Sequence, residues 1–176
     1  MVGEESDYVR LINDAIQPFV PAVRAPLSTM YFRNFCDKFA TSFLPSYLNL
    51  ILRQRRINEM GTQQLLLDVY NIKTLMLKMP TLGAGHDEAG GAAAGGSVAA
   101  AAVMVPVSYT KYVTKQMSKI EMVLKLVGTP ENMLVERFRI MWPDGGAGDL
   151  QAVMALKGTR KAEQQTIMET LGFDAA

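Results

Sequence analysis

The sequence predicts an all-α fold arranged as elongated tandem helical bundles, and three observations predict it. Apolar residues return at spacings of three and four over most of the chain, the period that gathers side chains on one stripe of a helix. No segment alternates apolar and polar residues with period two between turn residues, so no strand is expected. Stop signals for helices stand at Pro80, Gly128, Pro143 and Gly158, at the ends of periodic segments.

The first helix is expected over Asp7 to Gln17, where Tyr8, Leu11, Ile12 and Ala15 share one side and Ser6 or Asp7 caps the start. Pro18, Pro21 and Pro26 follow closely, so a kinked or broken path is expected there. From Leu27 to about Arg55 a longer segment spaces Phe32, Cys36, Phe39, Phe43, Tyr47 and Leu50 by threes and fours. At about 1.5 Å per residue it would span roughly 40 Å, which points to an elongated bundle. Pro45 should bend or break it. The run Arg53, Arg55 and Arg56 falls at its C-terminal end, where cations complement the helix dipole.

The stretch from Gly61 to Pro80 carries the longest uninterrupted helical signal. Leu65, Val69, Ile72, Met76 and Met79 make one stripe, Leu66, Tyr70 and Leu77 widen it, and Gln64, Asp68, Asn71, Thr74 and Lys78 leave a narrow polar face. So wide an apolar girth needs cover on several sides, which places this helix at the centre of a bundle. Pro80 should end it, having no amide hydrogen to continue the ladder. Residues 81–105 then turn to glycine and alanine and read as a flexible loop. Gly83 and Gly85 lack the strand and the GK[ST] ending of a phosphate loop. His86 and Asp87 lack the further ligands that a metal would need.

Periodicity resumes after Pro106 with Val113, Met117, Ile120, Leu124 and Val127, on a helix expected to lie antiparallel to the central one. Ser108 is the expected N-cap, Gly128 the C-cap, and Glu121 with Lys125 an i,i+4 pair. Thr129 and Pro130 open another helix, with Leu134, Phe138 and Met141 facing inward. Two short helices complete the chain: Asp149 caps Leu150 to Leu156, and Thr159 caps a segment that includes Ile167 and Leu171. The expected organisation is a first bundle over 1–80 ending in the central helix, the loop over 81–105, and a second set of helices over 106–176 packing on the central helix.

A chain of 176 residues can bury a core, and its 18 basic and 17 acidic side chains leave no net field to attract nucleic acid or anionic lipid. The expected partner is another protein. The single cysteine excludes an internal disulfide, and Cys36, set among phenylalanines, reads as inert packing. The twelve methionines suit the filling of irregular gaps between helices. The acidic N-terminus lacks the apolar core of a secretory signal, and no segment approaches the roughly 18 apolar residues of a membrane span. A cytosolic chain with at most peripheral membrane contact is expected. With one histidine, one cysteine and scattered carboxylates there is no catalytic constellation, no metal site and no cofactor site. The aromatics follow the buried stripes, not an exposed basic face, which argues against nucleic acid.

The strings YFRNFCDKFATSFLPSYL, GTQQLLLDVYNIKTLMLKMP, PVSYTKYVTKQMSKIEMVLKLVGTP and LQAVMALKGTRKAEQQTIMETL carry more than periodicity. In this order they resemble the C-terminal region of vacuolar protein sorting-associated protein fifty-three, and the resemblance runs from about Tyr8 to Leu171. That family is a subunit of the Golgi-associated retrograde protein (GARP) complex and of the related endosome-associated recycling complex. The resemblance implies a rod-like tethering module of two helical bundles in tandem. It further implies capture of endosome-derived vesicles on the cytosolic face of the trans-Golgi network, before SNARE-mediated fusion. Implied partners are the other subunits of the tethering complex, with SNAREs, a small GTPase or vesicle components. Family members are several times longer, so the chain looks like a fragment. The stretch Gly83 to Val103 departs from the family as a loop expansion.

No motif marks a binding surface. The candidate partner-binding residues are polar positions inside the resembling blocks: Gln64, Asp68 and Asn71, then Ser108, Tyr109, Thr110 and Lys111, then Lys157, Gly158 and Arg160. The alternative is a peripheral membrane-surface module using Lys111, Lys115, Lys119 and Arg53 to Arg56, and a third reading is a spacer with no ligand.

Overall fold

The computed structural model describes residues 4–84, 105–170 and 172. The phosphate-loop and metal readings at Gly85, His86 and Asp87, most of the flexible-loop reading, and Leu171 lie outside the described residues. Among the described residues the chain forms α1 (Asp7–Arg24), α2 (Thr29–Leu52), α3 (Glu59–Lys78), a 3₁₀ turn (Met79–Thr81), α4 (Val107–Val127), α5 (Glu131–Met141), α6 (Ala147–Lys157) and α7 (Lys161–Thr170). The fold is all-α.

The prolines interrupt less than expected. Helix α1 runs through Pro18 and Pro21 to Arg24, and α2 runs through Pro45 as one helix. These prolines withdraw the amide donors that would meet the carbonyls of Asp14, Gln17 and Thr41. All three residues are exposed, so water can serve those carbonyls, while buried Ile16, Val20 and Leu44 hold the helices to the core.

The buried stripe of α2 is Phe32, Cys36, Ala40, Leu44, Tyr47 and Ile51. Phe39 and Phe43 are therefore displaced to the half-buried flank, and Leu50 is 59% exposed. Along that flank Phe35, Phe39, Phe43 and Tyr47 contact one another in turn, with centroids 6.2, 5.6 and 5.9 Å apart. Spacing by four on a helix produces such a ladder. Helix α2 ends at Leu52, so Arg55 and Arg56 lie in the connection that follows it and not in its last turn.

Asn58 starts α3, its side-chain oxygen accepting from the Gly61 amide at 2.7 Å. Val69, Ile72, Met76 and Met79 are fully buried, whereas Tyr70 is 63% exposed and does not widen the apolar stripe. The helix ends where proline predicts, and the chain tightens into the 3₁₀ turn. Pro80 has no amide to give the Met76 carbonyl four residues back. That carbonyl instead receives the Met79 amide and, from α4, the Tyr109 hydroxyl at 2.7 Å.

Helix α4 buries Val113, Met117, Ile120, Leu124 and Val127 as expected, and adds Tyr109, Val123 and Leu126. It packs on α2, α3 and α6. It lies antiparallel to α3: Tyr109 near its start meets Met76 near the end of α3, and Gly128 at its end faces Thr62 near the start of α3. Between them Lys73 donates to Glu121 at 3.0 Å, so Glu121 pairs across helices and not with Lys125.

Four expected caps differ, because the preceding residue or backbone already supplies the turn. Pro106 occupies the N-cap of α4, leaving Ser108 exposed inside the helix, and Pro130 occupies that of α5, while the Thr129 hydroxyl donates to the Lys125 carbonyl at 2.8 Å. Asp149 lies inside α6 and accepts from the Gly146 amide at 3.0 Å. Thr159 is buried, its hydroxyl 3.4 Å from Glu131, and Glu163 serves the Arg160 amide at the start of α7. One apolar cluster takes residues from every helix, Val9 to Met168.

Candidate partner-binding surface

Two of the candidate residues fasten the segment that precedes α1. Asp68 is 1% exposed, and its two oxygens accept from the Ser6 amide at 2.9 Å and the Ser6 hydroxyl at 2.7 Å. The Gln64 amide group donates to the Glu4 carbonyl at 2.8 Å and to Asp68 at 3.2 Å. Ser6 stands at the N-cap of α1 but spends its hydroxyl on α3, with no side-chain bond to its own helix end. Asp68 thus has a role inside the fold, since a buried carboxylate needs these donors. Asn71, one turn on, is half-buried. Beside the clasp the Tyr8 and Tyr47 hydroxyls meet at 3.0 Å, joining α1 to α2. Burial pushes both phenols up, Tyr47 to about 12 and Tyr8 further, so both stay neutral.

The second group lies elsewhere. Tyr109 is buried with its hydroxyl on the Met76 carbonyl, and burial raises its pKa as well, so it presents nothing to a partner. Ser108 and Lys111 are exposed and Thr110 is half-buried. Lys157 donates to the Thr129 and Val127 carbonyls at 2.6 and 3.3 Å, covering the end of α4. Gly158 closes α6 at φ 78°, and a Cβ there would come within 2.8 Å of the Arg56 side chain. Arg160 is exposed.

The ten residues thus divide. Gln64 lies with Lys157, Gly158 and Arg160 toward the end where α3 begins and α4 finishes, Asp68 and Asn71 lie near the middle of α3, and Ser108 to Lys111 lie toward the other end. From Gln64 to Met76 the helix rises about 18 Å, too far for one small patch.

Sequence reasoning missed a groove of about 1070 Å³ between α1, the second half of α2 and the first half of α3. Ile12, Phe43, Leu50, Leu65 and Arg56 are among the residues that line it. An apolar stripe reveals which face of a helix is covered, not where two helices diverge. The one sequence signal was Leu50, which falls on the aromatic stripe yet comes out exposed beside the arginines.

Lys111, Lys115 and Lys119 are all exposed, and the Lys119 ammonium lies 5.4 Å from the Trp142 ring centre. Cys36 is buried and its thiol is pushed up to about 11, chiefly by burial, which leaves it inert. Among the described residues no group of three or more histidine, cysteine, aspartate or glutamate side chains is placed to hold a metal, and no helix is long and apolar enough to cross a membrane.

An all-α fold whose buried polar side chains serve as clasps and caps, and whose large concavity mixes apolar side chains with a polar rim, defines a helical interaction module. The model of the vacuolar protein sorting-associated protein 53 C-terminus family matches residues 63–159, from α3 through α6, and the chain belongs to that family. Vacuolar protein sorting-associated protein 53 A of Arabidopsis thaliana is 33% identical over 168 residues, 96% of this chain and 18% of that protein. The Caenorhabditis elegans homolog of vacuolar protein sorting-associated protein 53 is 27% identical over 172 residues, 95% of this chain and 20% of its own length. The B protein of Arabidopsis thaliana is 32% identical over 115 residues, 64% of this chain and 18% of that protein. The chain therefore spans no more than 20% of the length of these relatives. No solved structure matches it.

Proposed function

We propose that this chain is the C-terminal helical module of a vesicle-tethering subunit, acting by protein–protein interaction in endosome-to-trans-Golgi retrograde transport as part of the GARP complex. The observation that carries the proposal is the family match over α3 to α6, the helices that supply most of the shared core. The module works at the cytosolic face of the trans-Golgi network and endosomes, beside the other subunits, and meets SNAREs, a small GTPase or vesicle components. The solvent-reachable members of the candidate set, Gln64, Asn71, Ser108, Thr110, Lys111 and Arg160, are the proposed points of contact. No catalytic step belongs to this reading.

The test uses the full-length subunit, since the chain is a small part of its relatives. A version with these helices deleted should assemble with its partners yet fail to return endosomal cargo to the trans-Golgi network. Normal cargo return would reject the proposal. The triple change Gln64→Ala, Lys111→Ala, Arg160→Ala then asks whether those contacts carry recognition, read as vesicle capture by the immobilised subunit.

A membrane-surface role is the second reading, favoured by the exposure of Lys111, Lys115 and Lys119 along α4. It requires binding to vesicles that contain anionic lipid, weakening as salt is raised.

A further inference from the structure

The groove beside Arg56 is not the ordinary gap between packed helices. Helix α1 packs on α3 and α2 packs on α4, so the two walls are tied to different neighbours. They meet at the Tyr8–Tyr47 hydroxyl pair and the Phe19–Phe35 ring contact, whose centroids are 6.3 Å apart. The space of about 1070 Å³ between these two walls and the first half of α3 is larger than most small-molecule pockets, and Leu50, Ser46 and Gln54 on its lining are exposed.

Its solvent-reachable charge is positive. Among the described residues the only carboxylate lining it is Asp68, which is buried and held by Ser6. Among the same residues the only cation lining it is Arg56, and Arg53 and Arg55, adjacent in sequence, are exposed. None of the three makes an ion pair among the described residues. The Ile57 amide, bonded to the Leu156 carbonyl at 2.7 Å, fixes this connection against α6, so the arginines stand on an anchored backbone.

We propose that the groove docks an amphipathic helix from a partner protein, its apolar stripe laid against α1, the second half of α2 and the first half of α3 and its acidic end against Arg56 and the neighbouring Arg53 and Arg55. A helix about 10 Å wide with apolar side chains at i, i+3, i+4 and i+7 matches an apolar trough, and carboxylates in the first turn of such a helix complement both its own dipole and the arginines. The inference rests on the reading of the chain as a protein-binding module, and names the class of partner that one of its surfaces takes.

The experiment is a fluorescence anisotropy titration of this chain, using two stapled helical peptides of about 15 residues, long enough to hold a helix. Both carry the same leucine stripe; one has glutamates in its first turn and the other lysines. The glutamate peptide should bind saturably and at least about tenfold more tightly than the lysine peptide, a difference of about 1.4 kcal/mol. Arg56→Glu should reverse that preference, and Leu50→Asp should abolish binding of both. Leu50 and Arg56 are exposed, so both variants should keep the wild-type melting temperature. Absence of saturable binding, or affinities unchanged in both variants, would overturn the proposal. So would a concentration-dependent dimer dispersed by Leu50→Asp, which assigns the groove to a second copy. Binding to anionic vesicles lost in Arg56→Glu would assign it to lipid and overturn the proposal equally. None of these readouts depends on cargo transport, so they stand or fall apart from the trafficking assay.

Discussion

Ser6 gives both its amide hydrogen and its hydroxyl to the two carboxylate oxygens of Asp68, at 2.9 and 2.7 Å, and so locks the entry to α1 onto the middle of α3. Hydrogen bonds to a charged group contribute about 1.5–3 kcal/mol each, and a buried carboxylate deprived of donors costs more than the lost bond. Asp68→Ala is expected to lower stability by about 3 kcal/mol and Ser6→Ala by about 1–2 kcal/mol in urea titrations. The double variant should cost clearly less than the two changes added together. Simple additivity would mean that the pair contributes nothing jointly.

Tyr109→Phe removes the hydroxyl that serves the Met76 carbonyl and should cost about 1 kcal/mol. The cost arises because Pro80 withholds an amide from that carbonyl. Pro80→Ala returns the missing donor, so Tyr109→Phe should be milder in that background. An equal penalty with and without Pro80 would show that the two residues do not share one acceptor.

Gly158→Ala should destabilise the chain by about 1–2 kcal/mol, since φ 78° is left-handed backbone that suits glycine. Arg56→Ala, by vacating the space beside it, should recover only the steric part of that loss. Thermal melts of the four combinations decide this.

The burial of Cys36 has a signature in pH. Its folded value of about 11 lies above the unfolded value of 9.0, so its contribution is complete below pH 9 and lost as pH rises through 11. Tyr47 acts with the same sign from pH 10 to about 12, and Tyr8 likewise from pH 10 upward. Melting temperature should therefore fall steeply above pH 9, and less steeply in Cys36→Ala. Iodoacetamide should label Cys36 in the native protein far more slowly than in urea. Rapid native labelling at neutral pH would contradict both.

The inner faces of α3 and α4 were legible because periodicity reports burial directly: all five stripe residues of α4 are buried, as are Val69, Ile72, Met76 and Met79, whereas α1 buries Val9, Ile16 and Val20 and leaves the expected Leu11 and Ala15 exposed. Boundaries were less legible, because a hydroxyl at a helix start can be spent elsewhere, as Ser6 is on Asp68, and because prolines at exposed positions interrupt little. The candidate surface was the least legible part. Asp68, Tyr109 and Lys157 are polar for reasons internal to the fold, each bonded to a segment distant in sequence, and no local pattern distinguishes such residues from recognition sites.

The antiparallel seating of α4 against α3, with α2 and α6 also on it, bears on how the two parts of the chain hold together. Residues 4–84 carry α1 to α3 and residues 105–170 carry α4 to α7, and one apolar cluster runs through both. Two separate polypeptides carrying these two parts should therefore associate when mixed, the first offering the faces of α2 and α3 and the second covering them with α4.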